Sequence, residues 1–177
     1  TLADLPLSTQ NGILASVLGD AAFAPLASDS GTLEQKGKLT ASDTAADDNF
    51  GRSVAVSGNL AVVGSYLDDD GGDDSGSVIV FDLSDPANPV QASKLTTSDA
   101  AAGDNFGWSV AVSGDLAVVG SRNDDDGGSN SGSAYVFDLS TCGTTCNEVS
   151  KLTASDAAAD DVLGYSEAVS GNLAVIG

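Results

Sequence analysis

Lys38–Ser84 reads KLTASDTAADDNFGRSVAVSGNLAVVGSYLDDDGGDDSGSVIVFDLS, and the same text returns without a gap at Lys94–Ser140 with 36 of 47 positions identical. A third copy opens at Lys151 (KLTASDAAADDVLGYSEAVSGNLAVIG) and agrees with the first at 21 of 27 positions. A period of 56 residues marks one supersecondary unit per repeat, stacked as a propeller or a solenoid. Such a unit buries its apolar faces only against its neighbours. The repeat therefore decides the architecture before any single residue is interpreted.

Within one copy, Phe50–Ser57 alternates large and small residues at period two, as a strand does. Gly58-Asn59 then separates it from Leu60–Ser65, and Gly114-Asp115 and Gly171-Asn172 repeat the device. Glycine accepts the positive φ of a two-residue hairpin, so each pair predicts a tight turn. An acidic, glycine-rich loop, Tyr66–Gly76, leads into a third strand, Ser77–Leu83, and Gln91–Thr96 gives a fourth. The second copy supplies Ser133–Leu139 and Glu148–Thr153 at the same places. No segment of the repeat holds a 3.6-residue period, and glycine recurs every few positions. The reading is all-β: propeller blades of four antiparallel strands, with both faces buried.

Twenty-six acidic residues against six basic ones, with no histidine, give a formal charge of −20. That balance argues against nucleic acid and anionic membrane surfaces as partners, since both need clustered Lys and Arg. No run of 18 apolar residues is present, so no membrane-spanning helix is expected. Cys142 and Cys146, in TCGTTC, lie in a polar insertion between copies. Three intervening residues suit a small disulfide loop and an oxidising compartment, while zinc would need ligands that the neighbourhood lacks.

Residues 1–37 stand outside the repeat and read as an N-terminal extension or cap, followed by repeats 38–93, 94–150 and an incomplete 151–177. In Asn11–Leu26, Ile13, Leu14, Val17 and Leu18 fall at helix-like spacing, broken by Gly19 and Pro25. A short helix and an irregular docking segment both fit. Without Met or a basic stretch ahead of it, Thr1 reads as a mature or trimmed start. Two full copies and part of a third do not close a circle. The ring is expected to be completed by further blades of a longer chain or by identical chains assembling.

The succession Asp-Asn-Phe-Gly, Ser-Val-Ala-Val-Ser-Gly, Leu-Ala-Val-Val-Gly-Ser and Ser-Gly-Ser-x-x-Val-Phe-Asp resembles the FG-GAP repeat, the blade of the seven-bladed propeller of integrin α-subunits and of many secreted microbial proteins. Its FG is Phe50-Gly51 and Phe106-Gly107, with Leu163-Gly164 as a degenerate third instance. Of the GAP position only the glycine survives, at Gly64 and Gly120. The match is nearest to an acidic, bacterial-type subgroup. The resemblance implies a seven-bladed, extracellular module with an adhesive or structural role and protein partners.

Integrin-type blades hold calcium between their first and second strands, where this chain has only Gly58-Asn59, too short to wrap an ion needing six to eight oxygens. The carboxylates lie instead after the second strand: Asp68, Asp69, Asp70, Asp73 and Asp74, with Asp124, Asp125 and Asp126 in the next copy. They are the calcium candidates, set against the plainer reading of solvated acidic turns. Asp47-Asp48-Asn49 and Asp104-Asn105, just before each FG, are expected to cap the turn between blades.

No His base, no Gly-x-Ser-x-Gly elbow and no phosphate-cradling Gly-Lys-Ser/Thr occurs. Paired carboxylates that could flank a glycosidic bond sit in loops expected to be exposed, where a general acid gains no raised pKa. The expectation is a non-catalytic interaction module. The alternative is a carbohydrate-binding propeller: the residue after each FG is Arg52, Trp108 and Tyr165, aromatic twice in three, against a packing role between blades.

Overall fold

The computed structural model describes residues 13–17, 21–25, 35–43 and 45–177, of which 13–17 and 21–25 are described by backbone alone. Fourteen strands form four sheets among the described residues. The first full blade is β4 (Ser53–Ser57), β5 (Leu60–Ser65), β6 (Ser77–Asp82) and β7 (Val90–Leu95); the second is β8 (Phe106–Ser113), β9 (Leu116–Ser121), β10 (Ser133–Asp138) and β12 (Ser150–Leu152). Each is an antiparallel meander in spatial order. The third copy contributes the hairpin β13 (Glu167–Ser170) and β14 (Leu173–Ile176).

The segment before the repeat departs from the helix entertained for Asn11–Leu26. Ile13–Val17 (β1) and Ala21–Pro25 (β2) are paired strands, and β2 pairs in turn with β3 (Gly37–Leu39). The helical spacing of Ile13, Leu14 and Val17 yields to the pairing of β1 with β2, which in turn pairs with the Lys38-Leu39 strand, a tertiary arrangement that overrides a short local period; residues 11, 12, 18–20 and 26 of that stretch lie outside the described residues. The register matches the blades: Ala21 opposes Leu39 as Val78 opposes Leu95 and Ala134 opposes Leu152. In these three sheets the strand paired at these positions, β3, β7 or β12, thus ends in the Lys-Leu that opens the next copy.

Period-two alternation places apolar groups on both faces. Val62, Val78, Val80 and Leu95 of the first blade meet Phe106, Val119, Tyr135 and Phe137 of the second in one core. Ala61, Val63, Ile79 and Phe81 point the other way, onto Leu39 and Phe50. At about 1.5–3 kcal/mol for each large apolar side chain fully withdrawn from water, this interleaving is the main force holding blade to blade.

The FG motif completes the junction through backbone. Phe106 N–H donates to Ser75 O at 2.9 Å, and Phe106 bridges Gly76 in parallel; Leu163 repeats the bond to Ser131 O at 2.9 Å and bridges Gly132. The approach is possible only because Gly76 has no side chain. A Cβ there would stand 2.0 Å from Phe106 O, and its φ of +87° lies in the left-handed region. The insertion between copies also joins blades: Cys142 and Cys146 form a disulfide, and the short strand β11 (Thr145–Cys146) runs parallel to β7, covering the outer edge of the first blade. An edge so covered is not free to pair with another chain.

Candidate functional site

Both acidic loops are laced by bonds from their aspartates to the loop backbone. Asp68 accepts Asp70 N–H at 3.0 Å and Asp69 accepts Asp74 N–H at 2.8 Å; Asp124 and Asp125 do the same for Asp126 and Asn130 at 3.0 and 2.7 Å. Against each loop stands a lysine ammonium. Lys94 Nζ reaches Asp43 at 2.7 Å, Asp68 at 3.1 Å and Asp70 at 2.5 Å. Lys151 Nζ reaches Asp99, Asp124 and Asp126 at 2.7, 2.8 and 2.6 Å. Asp43 and Asp99 belong to the connection entering the blade, so each lysine ties that connection to the blade's own loop.

Burial by itself would lower both ammonium pKa values, but three carboxylates outweigh it and hold Lys94 and Lys151 above the ordinary lysine range. Asp124 is almost fully buried, which opposes ionisation; Lys151 and the Tyr135 hydroxyl, donating at 2.7 Å, nonetheless keep it below the usual carboxylate range. Asp99 follows the same pattern. Of the calcium candidates, Asp68, Asp70, Asp124 and Asp126 therefore face a lysine, and Asp125 faces Asn130 N–H. Asp69, Asp73 and Asp74 gather separately, exposed, with one oxygen of each within 4.8 Å of the others.

The acids ahead of the FG motif bond to backbone. Asp48, Asp104 and Asp161 accept the N–H three residues back at 2.6, 2.8 and 2.8 Å. Burial, reinforced by Asp124 and Asp99, raises Asp104 to about 6 although the Ala101 bond opposes the rise.

Arg52, Trp108 and Tyr165 converge. Arg52 and Tyr165 lie just ahead of the edge strands β4 and β13 and Trp108 lies near the start of the edge strand β8, and those three edges lie side by side. The tight first hairpins carry these strands, with Ser53 and Ser109 hydroxyls donating to Gly107 O and Gly164 O at 2.7 and 2.8 Å across the junctions. Trp108 stacks at a tilt on Tyr165 at 5.7 Å and meets Tyr66 edge-on at 4.9 Å. A cavity of about 350 Å³ opens among Arg52, Trp108, Tyr165 and Glu167.

Glu167 was not singled out from sequence, although its signal is plain: it replaces Val54 and Val110 of the other copies. Both of its carboxylate oxygens are buried with no hydrogen-bond partner. They rest so near Gly120 that a Cβ there would stand 2.3 Å from Oε1. Burial pushes its carboxyl up to about 7; the nearby Ser109 hydroxyl tempers this only slightly, being committed to Gly164 O. Arg122, Tyr66, Lys94 and Lys151 also escaped sequence reasoning. The lysines recur at one repeat position, opposite the aspartate runs, which is the cue that would have found them.

Stacked four-stranded meanders joined at Phe-Gly and Ser-Gly-Ser define a propeller-type repeat array. The FG-GAP repeat model matches residues 33–81, 89–137 and 146–177, and the chain belongs to that family. No curated protein matches the chain.

Proposed function

We propose that the protein is a non-catalytic extracellular module of structural or adhesive character, its blades forming part of a seven-bladed ring whose face contacts protein partners. The observation that carries this reading is the repeated junction: identical backbone bonds at both blade interfaces make a rigid scaffold that leaves its loops free to vary. Asp43, Asp68, Asp70, Asp99, Asp124 and Asp126 are engaged in ion pairs and Asp48, Asp104 and Asp161 in caps, and the cavity lining holds one carboxylate, where glycoside hydrolysis needs two. The Cys142–Cys146 disulfide supports an exported location.

Fractionation of the native cells with antibody to the chain tests location, the surface or medium being expected; reduced cysteines in a cytosolic pool overturn it. Photo-crosslinking from Asp125, in an exposed loop, is expected to trap one specific protein, and the absence of any adduct in the native setting counts against the adhesive role. Calcium, in this reading, is confined to Asp69, Asp73 and Asp74, since lysine supplies the cation in the other clusters. A rise in melting temperature with millimolar calcium against chelator, abolished in Asp73→Asn, is the expected result; no rise removes calcium from the reading.

Carbohydrate binding is a second reading, favoured by one observation: Arg52, Trp108 and Tyr165 line a single cavity. Saturable change in Trp108 fluorescence with oligosaccharides tests it.

A further inference from the structure

The sheet ahead of the repeat is built on the register of a blade. Ile13 opposes Pro25 as Leu60 opposes Asp82, Ala15 opposes Phe23 as Val62 opposes Val80, and Ala21 opposes Leu39 as Val78 opposes Leu95. By that register β1, β2 and β3 stand as the second, third and fourth strands of a blade. The core that Leu39 closes is also a copy of the next one: Leu39, Phe50, Val63 and Phe81 recur one period on as Leu95, Phe106, Val119 and Phe137. Counting along the chain from Ala21, Gly19 takes the place of Gly76, the glycine that bridges Phe106. Counting back from Ile13, Asn11-Gly12 takes the place of Gly58-Asn59, the turn between first and second strands. The copy is degenerate: Val17 replaces Gly64, and β1 is joined to β2 by residues 18–20 alone, without the aspartate run.

What this sheet lacks among the described residues is a first strand, since β1 pairs on one side only, with β2. We propose that residues 6–10 of this chain (PLSTQ) dock on the open edge of β1, making residues 6–39 a further blade instead of an appended cap. The first blade sets the register: Val54 opposes Val63 and Val56 opposes Ala61, which places Leu7 opposite Ser16 and Thr9 opposite Leu14. Asn-Gly between two runs is the strongest short hairpin signal, because both residues accept the positive φ of a type I′ turn. The turn also selects the occupant. Closing a two-residue loop costs far less entropy than bringing in a second copy of the chain. Pro6 falls on the first residue of an edge strand, where its missing N–H costs no ladder bond. A bare strand edge is a template for another chain, so the docked segment also guards the array against pairing with its own copies.

The test uses the whole chain with Leu7→Cys and Ser16→Cys, oxidised mildly, with its disulfides mapped by peptide mass. Directly opposed residues lie within disulfide reach, so an intramolecular bond between positions 7 and 16 is expected beside the native Cys142–Cys146 bond. Leu7→Cys with Ala15→Cys, one residue out of register, is expected to give about tenfold less of such a bond. Removing residues 1–10 is expected to lower the melting temperature by about 5 °C or more. It is also expected to yield a larger assembly in sedimentation than the whole chain forms, through the uncovered β1 edge. A bond that joins two copies makes a second chain the occupant and overturns the proposal. Equal yields from the two cysteine pairs, or a truncated chain unchanged in both melting temperature and size of assembly, overturn it as well.

Discussion

The junction between the first and second blades and the junction between the second blade and the third-copy hairpin share one backbone and differ in side chains. Phe106 and Leu163 donate to Ser75 O and Ser131 O at the same 2.9 Å, and Asn105 and Val162 donate to Asp74 O and Asn130 O at 3.2 and 3.1 Å. At the first junction Asn105 adds a side-chain bond to Asp74 O at 3.1 Å, and Phe106 packs edge-on against Tyr135 at 5.6 Å. At the second, Val162 holds a φ of +52° that β-branched residues resist, and Glu167 buries a carboxylate where the first has Val110. The difference teaches that backbone complementarity sets the geometry of the joint, while side chains set how tightly it holds.

The largest effect should come from breaking what the two junctions share. Gly76→Ala and Gly132→Ala each drive a Cβ to about 2 Å from the neighbouring carbonyl, 2.0 and 2.1 Å by position. Both should lose roughly 3 kcal/mol or more in denaturant unfolding. A small loss at either would show that the parallel bridge is dispensable.

The next effect separates the junctions by pH. Glu167 titrates near 7, above its ordinary 4.5, so the folded chain binds that proton more tightly than the unfolded chain does. Stability is therefore reduced above pH 7, recovers as pH falls through 7, and is fully recovered below about 4.5; Asp104, at about 6, adds the same sign. The gain between pH 8 and 5 should be on the order of 1–3 kcal/mol. Glu167→Val should remove most of that slope. Below pH 4 the sign reverses, because Asp99 and Asp124 are held below their ordinary range and their pairing with Lys151 is lost on protonation. A flat melting temperature from pH 8 to 5 would contradict the buried carboxylate.

Two exchanges sharpen the contrast at smaller scale. Phe106→Leu imports the third copy's residue into a site 1% exposed and should cost about 1–1.5 kcal/mol. Val162→Asn, the reverse import, should gain about 1 kcal/mol by relieving the positive φ. Thermal melts of the two variants should move in opposite directions; movement in the same direction would mean that the junctions are not equivalent.

The fold was legible because two signals agreed, the 56-residue repeat and the Gly-Asn or Gly-Asp hairpins that recur within it. The segment before the repeat was not, because Ile13–Val17 pairs with Ala21–Pro25 and that strand with Gly37–Leu39, information that local spacing does not contain. The site was half legible. Arg52, Trp108 and Tyr165 share a repeat position, so one aromatic position per blade pointed to them. Arg122 shares its position with Tyr66, and only the stacking of blades brings it to Trp108. The aspartate runs suggested a cation, but that Lys94 on β7 and Lys151 on β12 come to face Asp68, Asp70, Asp124 and Asp126 depends on register across the sheet.

Because β3, β7 and β12 each bring to the preceding sheet the Lys-Leu that opens the following copy, the unit of duplication in the gene and the unit of folding are out of phase. An unequal crossover that adds or deletes one copy within the array leaves the sheet before it supplied with its Lys-Leu strand by whichever copy now follows. Lys94 and Lys151 travel with that strand, so every copy gained also delivers the counter-charge its predecessor's aspartates require. Such an array can lengthen or shorten by recombination while each intermediate keeps its sheets and its charges matched.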